Sequence, residues 1–136
     1  MIYLADYLEI SRAKQWQWGR LDCCMFAGDW IAACTDKDPM APYRGIYDTP
    51  LQARRLIRQR GGLVKMVDAE MTRCGFERTT APEHGDIAVV NMPEGGDHAV
   101  AGASVVIRHA SWWVGRGLAS TFGFDAPIAI AWRVMR

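Results

Sequence analysis

The sequence predicts an α+β domain, and three observations carry that expectation. Helical apolar spacing fills the first half of the chain, short apolar runs cut by Gly and Pro fill the second, and the two kinds do not alternate. At 136 residues the chain has the length of one domain with one hydrophobic core, so residues 1–136 are read as a single unit.

Residues 2–14 place Ile2, Leu4, Ala5, Leu8 and Ile10 at mixed spacing and are read as a first helix. Gln15 to Gly19 reads as a connector. From Cys23 onward, Phe26, Ala27, Trp30, Ile31 and Cys34 recur at i+3, i+4, i+7, i+8 and i+11, which lays one apolar stripe along a helix. Asp22 has the chemistry of its N-cap, a carboxylate able to accept the free N–H groups of the first turn. A loop rich in Pro and Asp follows. Thr49 caps a further helix with Pro50 at its first position, running to about Gln59 and stopped by Gly61-Gly62. Leu63, Val67, Met71 and Cys74 share one side of a helix over 63–74, ended by Gly75. The strands begin with Ile87 to Val90. Residues 98–103 and 105–110 are expected to form a hairpin turning near Gly102 to Ser104, with further strands near 117–122 and 128–134.

Composition narrows the function classes. A formal charge of +1 provides no broad attraction for nucleic acid or membranes, and Arg54, Arg55, Arg58 and Arg60 read as one solvated helix face. No stretch approaches the ~18 apolar residues of a membrane span, and the first ten residues carry acidic groups unlike a signal peptide. The expected location is therefore the cytoplasm where the chain is made, or a larger assembly that carries it out. Cys23, Cys24, Cys34 and Cys74 are read as thiols, since no secretion signal accompanies them. Adjacent Cys23 and Cys24 match no common zinc spacing, and neither metal nor cofactor is expected.

Cys23 is the strongest nucleophile candidate. A helix start, with unpaired N–H groups and a positive dipole end, is one of the few settings that stabilise a thiolate. An imidazole would complete the activation, and the chain has three: His84, His98 and His109. With a hairpin between them, His98 and His109 can share a sheet face near the start of the Cys23 helix. His98 would then act as base and His109 would orient it. The plainer reading keeps Cys23 as a small core residue and the two histidines as hydrogen-bonded strand residues. Cys24 competes as nucleophile from off the stripe, Cys34 and Cys74 read as packing, and His84 reads as a surface loop residue. Trp16, Trp18, Trp112 and Trp113 either wall a substrate groove or fill the core.

Several blocks carry a resemblance to a known family. Asp22-Cys23-Cys24-Met25-Phe26-Ala27 resembles the Asp-Cys-Ser-Gly-Phe-Val segment of the NlpC-type cell-wall cysteine peptidases. Gly85 to Val90 is similar to their Gly-Asp-Leu-Val-Phe-Phe strand, His98-Ala99-Val100 to their base-bearing strand, and Arg108-His109-Ala110-Ser111 to Ile-His-Ala-Ser. Trp18-Gly19, Asp29-Trp30, Gly61-Gly62-Leu63 and Ala131-Trp132-Arg133-Val134 resemble phage and prophage relatives of that family. The resemblance implies a papain-like domain with its Cys-bearing helix packed on a C-terminal antiparallel sheet. It also implies a catalytic set of Cys23, His98 and His109, with Trp18, Asp22 and Trp112 at the substrate. The implied function is hydrolysis of an amide bond, in peptidoglycan stem peptides, in a phage tail setting with tail proteins as partners. A non-catalytic tail-assembly or binding protein and a thiol-dependent acyltransferase are the other readings. Cys24-Met25 in place of Ser-Gly adds bulk beside the nucleophile, and the segment 35–83 adds two helices to the family pattern.

Overall fold

The structure is a computed structural model, and it describes residues 2–92, 102–117 and 120–135. Helices precede strands, as the apolar spacing requires. α1 spans Leu4–Arg12, α2 Cys23–Cys34, α3 Pro50–Gln59 and α4 Leu63–Arg73, with a short 3-10 turn at Ala41–Tyr43. The strands are β1 (Ile87–Asn91), β2 (Ala103–His109), β3 (Trp112–Arg116), β4 (Thr121–Phe124) and β5 (Ile128–Trp132). They form one antiparallel sheet in the order β4-β3-β2-β1-β5.

The caps follow local chemistry. Asp22 accepts the Met25 N–H at the start of α2, and Thr49 accepts the Gln52 N–H at the start of α3, ahead of Pro50. The arginines of α3 lie exposed opposite the buried Ala53 and Ile57, as a solvated helix face. The hydrophobic face of the sheet meets the helices. Ile87, Val89, Val105, Ile107, Val114 and Trp132 join Phe26, Trp30, Ile57, Met66 and Met71 in one core. The opposite face buries a smaller cluster around Ala88, Val90, Val106, Trp113 and Ala131.

The hairpin differs from expectation. Ala103 and Ser104 lie inside β2, so the chain does not turn at 102–104. It turns at Ala110 and Ser111, where Ala110 takes a φ of 54°. The next strand, Trp112–Arg116, pairs His109 with Trp112 and Ile107 with Val114. The run Val105 to His109 is apolar enough to read as a strand by itself, and the turn at Ala110 carries no Gly or Asn to announce it. His98 lies outside the described residues.

α2 is buried on more than its stripe. Cys24, Met25 and Gly28 are as enclosed as Cys23 and Phe26, because the connector before the helix and the loop after it close over the second side. A Cβ at Gly28 would lie 2.7 Å from the Met40 side chain.

Two long-range contacts orient α2 on the sheet. The Trp30 indole N–H donates to Gly85 O at 2.8 Å, and Gly85 N–H donates to Arg108 O at 2.8 Å. The C-terminal half of α2 therefore lies beside the end of β2. At the other end, the buried Arg116 guanidinium donates to Ser11 O at 2.5 Å and Lys14 O at 2.6 Å, holding the end of α1 where the chain turns toward Cys23.

Two tests follow from these contacts. Trp30→Phe strands the Gly85 carbonyl, whereas the buried Trp132 indole N–H has no acceptor among the described residues. Trp30→Phe should destabilise the chain by about 1–3 kcal/mol more than Trp132→Phe in urea unfolding. Arg116→Met takes its donor from the Lys14 carbonyl and leaves the Ser11 carbonyl with backbone N–H groups alone, and about 3 kcal/mol of lost stability is expected in the same measurement.

Candidate active site at the start of α2

The site begins with a buried carboxylate. Asp22 Oδ1 accepts the Met25 N–H at 3.0 Å, and Oδ2 accepts the Gly19 N–H at 2.9 Å and the Tyr47 hydroxyl at 2.5 Å. A charge-assisted bond of this kind contributes about 1.5–3 kcal/mol, and three of them offset the several kcal/mol needed to take a carboxylate out of water. The donors come from the connector, the first turn of α2 and the loop before α3, so Asp22 joins three segments at one point. Asp22 was expected to touch substrate; its hydrogen bonds instead go to the protein's own chain.

Gly19 is tied on its other side as well, its carbonyl accepting the Gly45 N–H at 2.9 Å. It takes a φ of 80°, and a Cβ there would lie 2.0 Å from the Tyr47 carbonyl oxygen. Only glycine fits that approach.

Cys23 follows as the first residue of the helix and is 1% exposed. Its sulfur lies 4.0 Å from that of Cys24, which is 3% exposed. The contact with Cys23 and burial push the Cys24 thiol well above its ordinary range, and the nearby Cys23 and Asp22 charges act the same way. Cys24 is therefore held as a thiol at neutral pH. Burial raises the Tyr47 hydroxyl too, with the Cys24 and Asp22 charges adding to it, so it remains a donor. The amides of Cys23 and Cys24 find no hydrogen-bond acceptor among the described residues, as the first amides of a helix require.

The other expected site residues divide between two ends of the fold. Trp18 is half-buried against the core and meets Trp16 edge-on at 5.0 Å between ring centres, in the connector that leads to Asp22. His109 closes β2 at the far end. Its ring sits 5.3 Å from that of His84, whose Nδ1 accepts the Ala110 N–H at 3.0 Å. His109 also lines a shallow groove of about 340 Å³ with Ala5, Leu8 and Glu9 of α1. Trp30 reaches that end of the sheet, and Cys23 lies seven residues earlier in α2, roughly 10 Å back along its axis. The structure thus brings His109 to His84. Trp112, paired with His109 and 56% exposed, is at the same far end, while Trp113 is buried on the opposite sheet face.

Tyr47 and the Gly19–Gly45 tie are parts of this junction that local pattern did not reveal. Tyr47 sits in a loop without periodicity, and only its long-range partner marks it. Among the described residues no three His, Cys, Asp or Glu side chains converge as a metal site needs.

Residues 2–134 match the family described as a domain of unknown function, DUF6950. The chain belongs to that family. No curated protein and no solved structure matches it. The DUF6950 match covers all four helices and all five strands, so the Asp22 junction and the sheet beneath it are parts of one family domain.

Cys34 provides a pH test within this DUF6950 chain. Burial pushes its thiol up to about 11 from an ordinary 9.0. The folded state thus holds this proton more tightly than the unfolded chain does. Its contribution to stability is complete below pH 9 and is lost as pH rises through about 11. The rate of Cys34 alkylation by iodoacetamide, read by peptide mass, should rise with a midpoint near pH 11. A midpoint near 9 would show the thiol to be solvated.

Proposed function

We propose that this protein is a cysteine hydrolase of amide bonds on a papain-like, NlpC-type domain. The observation that carries the reading is Cys23 as first residue of a buried helix packed on an antiparallel sheet, behind a cap saturated by three donors. The order of helices before strands and the Asp-Cys block support the same assignment.

The base follows from the family resemblance. His98 is the base in this reading because His98-Ala99-Val100 is similar to the base-bearing strand of the family, while His84 and His109 contact each other. Gly102 O accepts the Met92 N–H beside the start of β2. In this reading the site is a Cys-His pair and His109 is outside it.

Cys23 gives its proton to His98 and its sulfur attacks the amide carbon. The oxyanion forms against the Cys23 amide. Collapse breaks the C–N bond, the amine leaves with the proton from His98, and a thioester remains. Water then gives a proton to His98 and attacks the thioester, which frees the acid and returns the thiol. Stem peptides of peptidoglycan, in a phage tail or prophage setting, are the substrate class that the family resemblance supports.

A second reading has its own observation. Both Cys23 and Cys24 are almost fully enclosed, which suits a tail-assembly or binding protein that keeps the scaffold without the reaction.

Release of new amino groups from a peptidoglycan stem-peptide digest tests the choice. Cys23→Ala should abolish release, His98→Ala should lower it by about 10²-fold or more, and His109→Ala should leave it within a few-fold. Wild-type protein that releases nothing favours the assembly reading, and full activity in Cys23→Ala removes the nucleophile assignment.

A further inference from the structure

The loop between α2 and α3 sends Tyr47 into the start of α2, where it is 6% exposed and bonded to the Asp22 carboxylate. An N-cap carboxylate can accept from the second amide of its helix as readily as from the third. Here it accepts from the third, Met25, while its other oxygen is held by Gly19 N–H and the Tyr47 hydroxyl. The second amide, Cys24, and the first, Cys23, are left without an acceptor among the described residues. The loop that carries Tyr47 is anchored independently by the Gly45 N–H to Gly19 O bond, and the close approach of Gly19 to the Tyr47 carbonyl sets its distance.

We propose that Tyr47 is a positioning residue for the Cys23 reaction: its hydroxyl holds the Asp22 carboxylate turned from the Cys23 and Cys24 amides and so keeps them open to an oxyanion. Without the hydroxyl, the oxygen it held has only the Gly19 amide. The carboxylate then turns onto the free amides, occupying the donors and setting a negative charge against the developing one. This inference rests on the cysteine hydrolase reading.

Two reactions of the same thiol separate positioning from stability. Acylation by p-nitrophenyl acetate joins Cys23 sulfur to the acetyl carbon through an oxyanion, releases p-nitrophenolate and gives the thiol proton to base. Alkylation by iodoacetamide displaces iodide at a saturated carbon and forms no oxyanion. Both are followed on the full chain by fragment masses that separate Cys23 from its neighbour Cys24. Tyr47→Phe should lower the ratio of acylation to alkylation at Cys23 by about tenfold or more, with alkylation itself within about twofold. Trimethylamine N-oxide favours the folded chain during the assay. Urea unfolding of the wild type and of Tyr47→Phe in the assay buffer shows that both chains are folded, so that Cys23 rates are compared at equal folded fraction. Rates that rise or fall together, or an unchanged ratio, overturn the role of Tyr47 while leaving the nucleophile in place. Wild-type Cys23 that alkylates but never acylates overturns the hydrolase reading, and the inference with it.

Discussion

The Asp22 carboxylate is the point on which the front of the molecule depends. A buried charge survives folding only where its lone pairs are met, and Asp22 meets that condition with donors from three separate segments. Each donor constrains its own segment in return. Met25 starts the helix, Gly19 fixes the connector, and Tyr47 brings in the loop that precedes α3. Removing any one of them leaves the same buried charge short of a partner, so the three segments form one cooperative unit.

The rest of the fold is arranged around the helix that Asp22 starts. α2 is enclosed by the sheet beneath, by α1 through the Tyr7 hydroxyl bond to Phe26 O, and by the loop bearing Met40 and Tyr47. Trp30 pins its C-terminal half to the start of β1 through Gly85. Arg116 pins α1 to the end of β3, so the sheet and the helical layer share fixed points at both ends. The thiol pair lies at the start of α2, and the His84–His109 pair lies where β2 turns into β3.

Much of the helical half was legible. The stripe from Cys23, the cap at Asp22, the Thr49-Pro50 start and the Gly61-Gly62 stop all act within one or two turns, where local chemistry decides. The strand at Ile87 and the last strand were legible as apolar runs. The middle of the sheet was not, because Val105 to Trp113 is apolar on both sides of its turn and either register buries hydrophobic residues. The buried second side of α2 was equally hidden, since Cys24 and Gly28 are compatible with either environment.

By itself, then, the amino-acid sequence determined the class of fold, the positions of the four helices and the Asp22-Cys23 junction. Each of these follows from periodicity and from groups a few residues apart. Tertiary structure alone decided that His84 meets His109 and what saturates Asp22. Tyr47 is 25 residues from Asp22, and His84 lies 26 from its Ala110 partner. Contacts at such separations depend on strand register and loop closure, which many sequences satisfy in several ways until the whole core is packed.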